Sequence, residues 1–118
     1  FQIADDLLDY TGTEAVTGKP TGHDLRERKV TLPLVGALAQ ATPAEKREVR
    51  AFFTIADPID EDIERVIGIV AERGGLAYAR ERADRYAELA HSALDEVAEG
   101  SSASALRDAI GYAVDRRR

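Results

Sequence analysis

The chain has 118 residues, room for one modest domain, and its 44% hydrophobic and 32% charged residues are the balance of an ordinary globular protein. A net charge of -6 argues against a nucleic-acid binder working through a basic face, and no apolar run approaches the ~20 residues that span a bilayer. Cysteine is absent, which excludes disulfides and thiolate metal sites and fits a reducing, cytoplasmic setting. Methionine is absent as well, even at position 1, and Phe1 already lies inside a helical pattern, so the chain is expected to be a piece of something longer.

Alanine, leucine, glutamate and arginine dominate, and the chain reads as an all-α helical bundle. A first helix is predicted over Phe1 to Tyr10, stopping near Thr11-Gly12. The connection that follows, TGTEAVTGKPTGHDLRERK, has three glycines, one proline and no sustained periodicity. Unstructured connections longer than about 12 residues tend to be functional or disordered. A second helix starts around Thr31–Gln40, with Pro33 tolerated in its first turn. Thr42-Pro43-Ala44-Glu45 is a capping box with proline at the first helical position, opening a helix to about Ile55. Asp57-Pro58 repeats the pattern and opens a helix that ends at Gly74-Gly75. The next helix, Leu76 to about Glu99, carries Ala77, Ala79, Ala83, Ala87, Ala90 and Ala93, small residues that suit close helix packing. Ser101 or Ser102 is predicted to cap a final helix that runs into Arg116.

The first helix carries the chemistry. On a helical wheel Gln2, Asp5, Asp6 and Asp9 share one stripe about 100° wide, and the apolar residues face elsewhere. Three carboxylates a turn apart repel one another, and no lysine or arginine breaks up the stripe. Carboxylate oxygens are hard ligands that suit Mg2+, an ion commonly held by one or two carboxylates together with substrate phosphates. Taken alone, DDxxD reads first as a solvated acidic face. The segment GKPTGHDLRERK adds Lys19 and Lys29, with Asp24 between them, and lysine serves phosphate as a point charge. Gly18 and Gly22 allow its backbone to bend. The spacing does not match a Walker A loop.

Read together, FQIADDLLD, GKPTGHDL and KVTLP resemble the second aspartate-rich region of the trans-polyprenyl diphosphate synthases, and GGLAYARERADRYAELA resembles that family's C-terminal part. The resemblance implies the C-terminal portion of an isoprenoid-synthase-type fold, residues 1–118 being part of one domain, in a homodimeric enzyme that joins isopentenyl diphosphate to an allylic diphosphate with Mg2+. It implies Asp5 as the main metal ligand from this helix, with Asp6, Asp9 and Asp24 around the metal and its waters. Lys19 and Lys29 would contact the allylic diphosphate, and Phe1 and Gln2 would line the cavity.

The sequence departs from the family at several points. Arg28 stands where the pattern usually has glycine before the lysine, and either adds a cation or spoils the turn. His23 is expected to face solvent, His91 to be structural or exposed, and Arg116 to Arg118 to form a solvated tail. The first aspartate-rich motif is missing, so the chain carries one wall of a two-walled site and is expected to show little turnover alone. Two other readings stay open: a non-catalytic regulatory subunit of such an enzyme, and an acidic helical interaction module.

Overall fold

Gln2–Thr11 form helix α1, and its last turn closes with the Gly12 amide donating to Leu8 O at 2.6 Å. The structure, a computed structural model, describes residues 1–12, 21–97 and 99–115. Within them a single helical turn, α2 (His23–Arg26), is followed by α3 (Leu32–Gln40), α4 (Pro43–Phe52), α5 (Asp60–Glu72), α6 (Gly75–Val97) and α7 (Ser101–Val114). All regular structure among the described residues is helical, as the composition predicts. No helix there is long and apolar enough to cross a membrane.

The core is built where one apolar face from each of five elements converges. Tyr10 of α1, Leu25 of α2, Leu34 and Ala37 of α3, Val49 and Phe52 of α4, and Ile63, Val66, Ile69 and Val70 of α5 are buried together. Helix α6 runs across this cluster and packs against α3, α1, α5 and α7. Its approach to α3 is close because Gly75 has no side chain. A Cβ there would lie 2.1 Å from Pro33 O and 2.9 Å from Val70 Cγ1.

Burial falls off along α6. Gly75, Ala79 and Ala83 are buried, and no described residue of α6 beyond Ala83 is; α7 buries Ala103 alone among its described residues. Of the six alanines, Ala79 and Ala83 are buried, Ala87 and Ala90 half-buried, and Ala77 and Ala93 exposed in this chain. The molecule is a slab of 52 × 31 × 20 Å with a radius of gyration of 16.8 Å. A compact domain of this length would have about 13.5 Å.

The Thr42 capping box forms as predicted. Glu45 N donates to Thr42 Oγ1 at 3.1 Å, and Thr42 N donates to Glu45 Oε1 at 2.9 Å. Other boundaries differ, and three have a local cause. Helix α4 stops at Phe52 and not at Ile55, because Thr54 and Ile55 donate to Ala51 O and Phe52 O and tighten the chain into a turn. Asp57 is not a cap. Pro58 holds the preceding residue out of the helical region, and α5 begins at Asp60 with Asp62 Oδ2 accepting from Ile59 N at 3.1 Å. Ser101 is the first helical residue of α7 and not its cap, since Gly100 precedes it at φ 101°. Arg116, the predicted end of that helix, and the rest of the arginine tail lie outside the described residues.

Glu45 also joins two helices, because Arg73 Nε donates to its Oε1 at 2.8 Å. The Thr42 amide first, then the Arg73 guanidinium, pull its carboxyl from 4.5 down to about 2. A depressed carboxylate stabilises the fold fully above its unfolded value and progressively less as pH falls toward the folded one. Thermal melts of Glu45→Gln are thus expected to lose a pH-dependent component between about 4.5 and 2 that the wild-type chain shows. Parallel melting curves for the two proteins across that window would contradict this.

Candidate active site

Asp9 lies at the C-terminal end of the acidic stripe, where α1 passes under α2. It is buried, 4% exposed, and its two oxygens accept different backbone amides: Oδ1 from His23 N at 3.1 Å and Oδ2 from Asp24 N at 2.9 Å. Its own carbonyl accepts from Gly22 N at 2.9 Å. A carboxylate at the start of a helical turn satisfies amides that have no partner within the helix. Gly22 makes this possible by taking φ 79°, and a Cβ there would meet Ile63 Cγ2 at 2.6 Å. The third aspartate of DDxxD thereby fastens the downstream segment onto the helix that bears the first two.

The result is an open cleft of about 540 Å³ whose walls include Gln2, Asp5 and Asp6 from α1 and Asp24, Glu27 and Lys29 from the segment beyond it. Phe1 is not among the described residues that line it, and is 70% exposed. Gln2 Nε2 donates to Asp6 Oδ1 at 2.8 Å. Burial pushes the Asp6 carboxyl above its ordinary range. The Gln2 amide and the Lys29 ammonium oppose that, while the neighbouring Asp5 and Asp9 add to it.

Lys29 Nζ lies 2.6 Å from Glu27 Oε2, and Glu27 Oε1 lies 3.0 Å from His23 Nε2. The bond to Lys29 holds the Glu27 carboxyl below its usual range and raises the Lys29 ammonium in turn. His23 is therefore part of the open cleft wall, on a helical turn four residues before Glu27 and not in a loop, with its side chain 38% exposed as expected. The helical turn over His23–Arg26 is what pairs His23 with Glu27, four residues apart on one face, and no pattern in the sequence announces that turn. Behind the cleft the Tyr10 hydroxyl is buried, with no partner at hydrogen-bonding geometry among the described residues, and burial pushes its pKa up. Lys19 and Gly18 lie outside the described residues.

Arg28 settles the question raised by its position. It has φ 58°, the left-handed conformation, and its side chain donates to the carbonyls of Ile55 and Ala56. The turn that glycine usually makes is formed here by arginine.

Residues 1–70 match the model of the polyprenyl synthetase family. The chain is 40% identical over 116 residues to an all-trans-nonaprenyl-diphosphate synthase (geranyl-diphosphate specific) of Rhodobacter capsulatus, covering 98% of this chain and 35% of that protein. It is 36% identical over 110 residues to a geranylgeranyl diphosphate synthase of Mycobacterium tuberculosis, covering 93% of this chain and 31% of that one. Its fold superposes with a TM-score of 0.89 and 33% identity on the crystal structure of a polyprenyl synthase from Caulobacter crescentus in complex with calcium and isoprenyl diphosphate, over 99% of this chain and 36% of that one. A decaprenyl diphosphate synthase from Rhodobacter capsulatus gives a TM-score of 0.85 at 37% identity, over 99% of this chain and 36% of that one. The chain thus spans about a third of the length of the relatives it matches. With the sequence match, the shared all-α fold and the superposition in agreement, the chain belongs to the polyprenyl synthetase family and has its isoprenoid-synthase-type fold.

Proposed function

We propose that this chain forms one wall of the active site of a Mg2+-dependent, homodimeric, cytoplasmic prenyltransferase that condenses isopentenyl diphosphate with an allylic diphosphate. In this reading residues 1–118 are the C-terminal part of a single domain, and Asp5 to Asp9 are its second aspartate-rich motif. The observation that carries the reading is the cleft that gathers Asp5, Asp6, Asp24 and Lys29, carboxylates for a hard cation beside an ammonium for phosphate. The relative from Caulobacter crescentus, crystallised with calcium and isoprenyl diphosphate, supports it.

The donor set fits Mg2+. No three acidic or histidine side chains among the described residues converge into a closed cage. An ion held by one or two carboxylates, waters and diphosphate oxygens needs none. Asp5 would be the principal ligand, with Asp6 and Asp24 beside it, whereas Asp9, also expected around the metal and its waters, is buried with both oxygens accepting backbone amides and would act from behind. When bound, Mg2+ supplies positive charge to offset the leaving diphosphate. Lys29 lends a charge-assisted hydrogen bond to the same group once the diphosphate displaces Glu27 from it. Asp9 keeps the lysine segment in place from below. Lys19 would add a second ammonium, and Phe1 and Gln2 would bound the hydrocarbon end of the chamber. A second wall completes such a site, so the 118-residue chain alone is not expected to turn over.

Calorimetric titration of the chain with farnesyl diphosphate, with and without Mg2+, tests the reading. Binding is expected only with Mg2+, and Asp5→Ala is expected to weaken it by about tenfold or more. Binding that ignores both Mg2+ and the substitution would identify the acidic stripe as a solvated face.

A further inference from the structure

The segment that carries Lys29 ends in a Schellman turn. Lys29 N donates to Asp24 O at 2.8 Å and Arg28 N to Leu25 O at 3.0 Å, which are the paired bonds of that motif around the C-terminus of α2. Arg28 occupies the position that must be left-handed, where glycine is usual. For a residue with a side chain this conformation is unfavourable. Its guanidinium compensates by donating to Ile55 O and, at 2.8 Å, to Ala56 O, carbonyls of the α4–α5 connection. Arg26, two residues earlier, pairs with Asp60 Oδ1 at the start of α5. Both arginines thus tie the lysine segment to the same corner, in addition to the amide bonds that Asp9 accepts from it.

We propose that Arg28 is a positioning residue for Lys29. Its tether on residues 55 and 56 fixes the turn immediately before Lys29 and so the direction in which that ammonium leaves the backbone toward the carboxylates of the cleft. A glycine in this place would make the same turn without strain but would leave it untethered. The chain has exchanged backbone ease for an external anchor, which couples the cleft to the α4–α5 corner. This inference rests on the phosphate-binding reading of the cleft.

The test is a double-mutant cycle on the 118-residue chain, using inorganic pyrophosphate with Mg2+ as the probe. Arg28→Gly, which suits the left-handed turn, is expected to keep the helical circular dichroism and melting temperature and to weaken pyrophosphate about fivefold. Arg28→Asn, the other residue tolerated there, should behave alike. In a Lys29→Ala background Arg28→Gly should have no further effect, because the tether acts through Lys29. Equal weakening in both backgrounds, or wild-type affinity for Arg28→Gly, would overturn the inference while leaving the cleft's function intact. A wild-type chain that ignores Mg2+ and pyrophosphate, or a Lys29→Ala chain that binds as wild type, would remove the underlying reading and this inference with it.

Discussion

Asp9→Ala is expected to cost about 3 kcal/mol of folding stability and to abolish Mg2+-dependent diphosphate binding. The carboxylate accepts from two backbone amides, one on each oxygen, at 4% exposure. Hydrogen bonds to a charged group contribute about 1.5–3 kcal/mol each, and their loss strands both amides. Function fails with them because the amides of His23 and Asp24 lose their side-chain anchor on α1, and the backbone bond from Gly22 N to Asp9 O is left to hold the Lys29 turn. Asp9→Asn keeps one acceptor oxygen and turns an NH2 group toward the other amide, so it should lie between wild type and alanine. Urea denaturation of the three proteins measures the stability, and farnesyl diphosphate titration the function. A loss below about 1 kcal/mol for the alanine variant would show that the loop holds itself in place.

Gly75→Ala should be comparably damaging, through backbone and not through charge. The new methyl would sit 2.1 Å from Pro33 O and 3.0 Å from Ala37 Cβ. A backbone carbonyl cannot rotate aside, so α3 and α6 must separate along their contact. Overpacking of this kind costs about 3 kcal/mol. That corresponds to a fall of about 10 °C in melting temperature for a domain of this size. Gly68→Ala is the control. Nothing lies within 4 Å of its added Cβ, and replacing glycine inside α5 should raise stability by about 0.5 kcal/mol. If both variants melt alike, the close approach at Gly75 is not what sets the spacing of the two helices.

What could be read from the chain was what neighbouring residues decide. The Thr42–Glu45 box and its proline are contiguous, and the helix starts where they say. The acidic stripe and the lysine segment each have a pattern in sequence, and the cleft draws on both. The miss at Asp57 has a local cause, a proline that reads as a first helical residue but instead extends the chain before it. Helix α2 was illegible for a different reason. A four-residue helix has no periodicity to detect, and what organises it is Asp9, fourteen and fifteen residues upstream of the amides it holds. The same applies to Arg28. Its departure from the family pattern is plain in the sequence, but the carbonyls that receive it, at positions 55 and 56, become neighbours only after α4 has folded back.

The decline of burial along α6 gives the slab two ends of unequal tenacity. The end that holds the cleft is anchored by the shared core of α1 to α5, whereas the second half of α6 is attached to α7 with Ala103 as that helix's buried residue. Opening free energies follow the density of buried contacts, so the far half of α6 is the first part expected to loosen. Helix α7 also packs against α1, and its Val114 carbonyl accepts from Arg80 near the start of α6, so movement of that arm would be transmitted to the helix that bears Asp5 and Asp6.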